Sequence, residues 1–122
     1  MAGPCVVTVD GPVLIIDSVT SGNPARSIQS VTLTDIKREG RILDFSYGVP
    51  YGMNLLVSGS GLGCTTPCGF ESEPGAYTFR VSAPGFASRE VVTAARYAVA
   101  QGPGCPLHLS GGTRVSVALD AM

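Results

Sequence analysis

The sequence predicts an all-β fold, an antiparallel Greek-key-like β-sandwich of about seven or eight short strands. Sixteen glycines and nine prolines in 122 residues indicate many turns with short elements between them. The residues between those turns are rich in valine and threonine, which favour strands over helices. No segment has a convincing helical pattern, and short strands at regular spacing are typical of a sandwich.

The length and composition predict a single domain, residues 1–122, with its core in about residues 6–119. Hydrophobic residues make up 44% of the chain and charged residues only 14%, which argues against disorder. A net charge of −1 gives no electrostatic surface for nucleic acid. No apolar run reaches the ~18–20 residues of a membrane helix. We therefore expect neither a nucleic-acid partner nor a membrane span.

Residues 73–85 contain the clearest single strand. Tyr77, Phe79 and Val81 fall on one face of an extended segment, and polar residues alternate with them on the other face. This period of two is typical of a strand with one buried face. A Pro-Gly dipeptide lies on each side of it, at 74–75 and 84–85, and both dipeptides favour turns.

The other elements follow from composition, taken in order. Further strands are predicted in residues 5–9, 13–17, 28–34, 42–47, 53–58, 86–99 and 113–119. In the fourth of these, Leu43, Phe45 and Tyr47 are predicted to be buried together. The alternative for the first two is one edge strand interrupted by a bulge at the glycine. Residues 86–99 alternate imperfectly, which indicates either one bent strand or a strand that runs into a crossover. The turns and loops between strands are predicted in residues 17–24, 35–41 and 59–69, and the last is glycine-rich and contains two cysteines.

Three stretches resemble a known family. Residues 17–24 match its turn after the first strand, Pro74-Gly75, Tyr77, Ala83 and Gly85-Phe86 match its central motif, and residues 113–119 match its closing strand. Together they resemble the carboxypeptidase regulatory-like domain family, whose fold is a transthyretin-like (prealbumin-like) β-sandwich.

The resemblance implies a non-catalytic module with a structural or protein-interaction role and no cofactor. Cys68 and Cys105 lie where secreted or lipoprotein-type bacterial members have cysteines. Transthyretin-like folds also include hydroxyisourate hydrolases, which rely on several histidines. This chain has one histidine, so that activity is not expected.

Four cysteines in a small β-rich chain suit two disulfides and an oxidising compartment. The favoured pairing joins Cys64 to Cys68 and Cys5 to Cys105, and the alternative joins Cys68 to Cys105 and Cys5 to Cys64. The predicted location is therefore secreted or in the cell envelope, although the first residues lack the features of a signal peptide.

A structural zinc site is the alternative to disulfides. Cys64-x3-Cys68 and Cys105-x2-His108 both have the spacing of metal ligands. Such a site would leave Cys5 unpaired, and a sandwich with this much apolar content does not need a metal to fold. We therefore predict no metal.

Catalysis has little support in the sequence, and we do not expect an enzyme. His108 is the only histidine, and no G-x-S-x-G motif is present. Glu71 and Glu73 are two residues apart and would share a strand face, but both are predicted to be solvated. A small hydrolase that uses His108 is the least favoured alternative.

Tyr47, Tyr51, Leu62 and Phe70 are the candidate binding residues, in loops at the ends of the sandwich. Loops on a rigid scaffold carry function more often than the scaffold does. These residues would bind a carbohydrate or a peptide, so the predicted partner is another protein or a cell-envelope glycan. Exposed sheet edges predict a monomer or a weak homodimer.

Overall fold

The computed structural model describes residues 7–9, 11–22, 26–59, 61–101 and 107–122. These residues form twelve strands: β1 (Val7–Val9), β2 (Leu14–Ser21), β3 (Arg26–Ser27), β4 (Ser30–Arg38), β5 (Arg41–Ile42), β6 (Met53–Ser58), β7 (Gly61–Phe70), β8 (Gly75–Ser82), β9 (Arg89–Ala95), β10 (Ala98–Gln101), β11 (Leu107–Ser110) and β12 (Thr113–Leu119). In this part of the chain there is no helix that would span a membrane.

The main sheet has nine strands, with the order β12-β2-β7-β4-β8-β9. Three further strands pair beside this path: β3 with β2, β5 with β4 and β6 with β7. A smaller sheet has the order β1-β11-β10. The predicted all-β, antiparallel fold is confirmed, although β12 pairs with β2 and β1 pairs with β11 in parallel.

Strand β7 joins the two halves of the main sheet. Residues 62–65 of β7 pair with β4, and its last residues, 68–70, pair with β2. β6 pairs with residues 61–64 and with Gly69. The Phe70 ring makes edge-to-face contacts with Phe45, Tyr77 and Phe79 at centroid distances of 6.2, 6.4 and 6.4 Å. The sheet therefore curls so that its β2 side and its β8 side share one core.

The buried face of β8 is the one that the sequence predicts. Tyr77, Phe79 and Val81 are buried, and Val117 and Leu119 of β12 join them. The remaining members of the core come mainly from β2, β4 and β7: Val13, Leu14, Ile16, Val19, Val31, Leu33, Ile36, Leu62, Cys64 and Cys68. Along β8 the buried residues alternate with residues on the opposite face, and such alternation of buried and exposed residues fixes the strand register.

The glycine-rich loop predicted in residues 59–69 is wrong, because β7 is the longest described strand. Its glycines allow close approach rather than turning. A Cβ on Gly61 would lie 2.7 Å from the Leu33 carbonyl oxygen, and one on Gly69 would lie 2.5 Å from Cγ of Pro12. Glycine inside a strand often marks such an approach of another backbone.

Two predicted turns are shorter than expected. In the first, β2 continues to Ser21, and Asp17 forms a bulge where the pairing with β12 skips from Ile16 to Ser18. β-branched residues with one buried face continue the ladder there, since Val19 is buried.

In the second, β4 continues to Arg38. The hairpin connection is Glu39 and Gly40 alone, with φ angles of 51° and 77°. Positive φ at both central residues is the mark of a type I′ turn, which matches the twist of the flanking strands.

The strand predicted in residues 42–47 is also wrong beyond Ile42. The Asp44 carboxylate accepts hydrogen bonds from the backbone N–H and the hydroxyl of Ser46, which turns the chain. Phe45 is buried as predicted, but Tyr47 is 99% exposed. In residues 86–99 the imperfect alternation marks a real break, since β9 ends at Ala95 and the next strand belongs to the other sheet.

Candidate functional site

The four candidate binding residues do not form one surface. Tyr47 and Tyr51 are exposed in the loop before β6, as a binding role requires. Leu62 and Phe70 are completely buried in β7, so their assignment to a binding loop is wrong. They belong to the core because their strand, predicted as a loop, alternates between the core and the outer face.

Cys64 and Cys68 form a disulfide, with their Cα atoms 5.8 Å apart. The bond spans the point where β7 passes from its β4 side to its β2 side. It also removes two thiolates from the alternative zinc site, because a disulfide sulfur is not the thiolate that binds zinc. Cys5 and Cys105 lie outside the described residues, so their predicted pairing stays a prediction.

His108 lies in a strand of the smaller sheet. In β11 it is in register with Thr8 of β1 and with Ala100 of β10. Among the side chains that the structure describes, no group of three histidine, cysteine, aspartate or glutamate residues is arranged to hold a metal ion.

Arg38 organises a cluster of ionisable groups that the sequence did not indicate. Its guanidinium lies 2.8 Å from a carboxylate oxygen of Glu73 and 3.7 Å from one of Glu71. The Tyr77 hydroxyl donates a 2.6 Å hydrogen bond to the Glu73 carbonyl oxygen. Arg38 is opposite Tyr77 in the β4–β8 ladder, so strand register brings this cluster together.

Glu71 is the buried acid of this cluster. Its side chain is only 8% exposed, whereas that of Glu73 is 65% exposed. Burial raises the pKa of the Glu71 carboxyl, the Arg38 charge partly offsets this, and the Glu73 charge adds to it. Its backbone is held on both sides, since its N–H donates to the Pro50 carbonyl and its own carbonyl accepts from Val13. The prediction that both glutamates are solvated is therefore wrong for Glu71.

Glu71→Gln is expected to change how stability depends on pH. The pKa of Glu71 is higher in the folded protein than in the unfolded chain, so the folded state binds more protons between these two values. The unfolding free energy of the unmodified protein therefore falls as pH rises through that interval. The neutral amide removes this fall, so Glu71→Gln should become relatively more stable towards neutral pH. Denaturant unfolding at several pH values measures the difference.

The matched control is Glu73→Gln, which removes the exposed carboxylate from the same arginine. It shows how the loss of one partner of Arg38 changes the unfolding free energy when no buried group is changed. Identical pH curves for the two variants would contradict a role for the burial of Glu71.

Tyr47 lies at the rim of a surface pocket. The pocket has a volume of about 460 Å³ and is lined by Leu43, Asp44, Tyr47, Gly48, Val49, Pro50 and Glu71. The hydrogen bonds from the Ser46 hydroxyl and N–H lower the pKa of Asp44, so its carboxylate stays ionised. An exposed ring beside two carboxyl groups is suited to the hydroxyl groups of a sugar or to a cationic side chain.

A larger groove, of about 600 Å³, lies on the outer face of β6, β7 and β4. Leu56 of β6 and Thr32 of β4 are both in register with Gly63 of β7. Because Gly63 has no side chain, the floor of the groove is open between its two walls. The full lining is Ser30, Val31, Thr32, Asn54, Leu55, Leu56, Gly63, Cys64, Thr65 and Pro84.

Strand β6 itself is exposed and apolar. Leu56 is 78% exposed and Val57 is 48% exposed, and successive residues of a strand point to opposite faces. β6 pairs with β7 along one side, and no described strand pairs with its other side. Residues 45–70 contain no charged side chain. We refer to residues 53–58, with the groove beside them, as the β6 surface.

Comparisons of the chain with protein-family models, with curated proteins and with solved structures found no match.

Proposed function

We propose that this protein is a non-catalytic, extracytoplasmic β-domain that binds a partner protein through the β6 surface. The disulfide between Cys64 and Cys68 supports an oxidising compartment, where such bonds persist. We also propose that the chain is a member of the carboxypeptidase regulatory-like family, in keeping with the motifs around Tyr77. The observation that supports this function best is the exposed, uncharged edge of β6, with which none of the described strands pairs.

The mode of binding proposed is strand addition. An extended segment of a partner pairs with the free edge, and its main-chain hydrogen bonds supply affinity. Side chains of the added strand pack beside Leu56 on one face and Val57 on the other. Natural edge strands usually carry lysine, proline or a buried charge that blocks such pairing. β6 has none of these, and its bulge at Asn54 leaves residues 55–58 as a regular edge.

Selection of displayed peptides against the immobilised protein tests this function. We expect the selection to yield extended peptides with apolar residues. We expect Leu56→Lys to weaken the binding of these peptides by about tenfold or more, because it adds an unpaired charge to an apolar contact. Val92→Lys is the matched control, since Val92 is 69% exposed on β9 and lies away from β6. Peptides that bind equally to both variants would contradict the proposal, as would a selection that yields none.

A carbohydrate- or peptide-binding role at the loop before β6 is the second candidate. The observation that favours it is the fully exposed Tyr47 ring beside Asp44 and Glu71. A glycan array tests it with Tyr47→Ala. Glycan binding that is lost in this variant but kept in Leu56→Lys would move the function from the β6 surface to this pocket.

A further inference from the structure

We propose that the strand added to β6 is the β6 strand of a second copy of this chain, in an antiparallel dimer with two-fold symmetry. This inference rests on the proposed function, because it takes β6 as the contact edge and names the partner. Three features of β6 support such a dimer: the absence of charge along its edge, its self-complementarity, and the place of Leu56 beside Gly63.

The absence of charge along the β6 edge favours an uncharged partner. Every residue from 45 to 70 is uncharged, so two copies approach along β6 without ionic repulsion. A partner strand with charged side chains would bury them against Leu56 and Val57, with no opposite charge in this segment to compensate. A second copy presents an uncharged segment of the same length.

The sequence of β6 is complementary to itself in one antiparallel register. With the two-fold axis at Leu56, that residue lies opposite Leu56 of the second copy, and Leu55 lies opposite Val57. Apolar residues therefore face apolar residues along the regular part of β6, which begins after the bulge at Asn54, where φ is 56°. Cross-strand pairs of this kind are the unit of sheet stabilisation. An isologous contact also closes on itself and stops at two copies.

The residue opposite Leu56 in β7 leaves the Leu56 side chain available for this contact. Gly63 is its partner in β7, so no side chain covers Leu56 from that side. Leu55 and Val57 are in register with Cys64 and Leu62, whose side chains are buried. Within the described part of the chain nothing pairs with the other edge of β6, so a strand added there would cover its outer face.

Sedimentation velocity of the intact, non-reduced chain, from about 1 µM to about 1 mM, tests the proposal, because small interfaces dissociate in this range. We expect a monomer–dimer equilibrium. Leu56→Lys should raise the dissociation constant by about tenfold or more, because symmetry places two lysines side by side. Val92→Lys should leave it unchanged. Thermal unfolding confirms that each variant is folded.

A mixture of Leu56→Lys with Leu56→Glu gives the sharper result. In the proposed register the two charges lie opposite each other, so the mixture should dimerise more tightly than either variant alone. A mixture no tighter than its components overturns this register, and assemblies larger than two copies overturn the closed dimer.

The failure of this inference is distinguishable from that of the proposed function. An unmodified protein that stays monomeric at the highest concentration overturns the second copy as partner. If displayed peptides still bind it and lose affinity with Leu56→Lys, β6 remains the contact edge for a different protein. A monomer that also selects no peptide overturns both.

Discussion

Phe70→Ala is expected to lower the free energy of unfolding by about 4 kcal/mol, the usual range for a buried phenylalanine being about 3–5 kcal/mol. Phe70 is completely buried and its ring contacts three other aromatic rings. Its removal leaves a cavity between the two sides of the curled sheet. Denaturant unfolding measures the loss.

Two further variants make this result interpretable. Phe70→Leu keeps much of the volume and should cost less than the alanine variant. Tyr47→Ala removes a ring that is 99% exposed, and surface substitutions usually change stability by less than about 0.5 kcal/mol. A loss for Phe70→Ala no greater than that for Tyr47→Ala would contradict the central place of Phe70 in the core.

Replacing both Cys64 and Cys68 by alanine should lower the unfolding free energy by about 2–4 kcal/mol. The loop that the bond closes is short, so the loss of chain constraint accounts for about 2 kcal/mol of this. Both side chains are also buried, so the two alanines leave unfilled space. The double variant avoids the free thiol that a single substitution would leave.

Thr65→Ala is the control for the disulfide variant. Thr65 is exposed and lies inside the same closed loop, and its replacement keeps the bond. Thermal unfolding of the two variants beside the unmodified protein gives the comparison. A double variant as stable as Thr65→Ala would show that strand pairing alone holds β7 in place.

The strands that were predictable are those with one buried and one solvated face. Tyr77, Phe79 and Val81 alternate with polar residues, and the whole of β12 shows the same alternation, so side-chain character alone places both strands. β7 was not predicted as a strand because many of its residues are glycine, threonine and cysteine, whose hydrophobic pattern is weak. Only the distance from Gly61 to the Leu33 backbone shows why glycine is there.

The candidate site was less predictable, because it depends on register. Arg38 meets Glu71 and Glu73 only through the pairing of β4 with β8, and a single sequence does not specify that pairing. The strand β6 was predicted, but its apolar residues argue for burial rather than exposure. Leu56 is exposed because the partner on its face is Gly63, a relation that again needs the ladder.

The parallel pairing of β2 with β12 has a mechanical consequence. Seven residue pairs join these strands, from Thr113 with Leu14 to Leu119 with Ser21. In a parallel pair the start of one strand and the end of the other lie at opposite ends of the ladder. Tension between the start of β2 and the end of β12 therefore shears all seven pairs together instead of unzipping them one at a time.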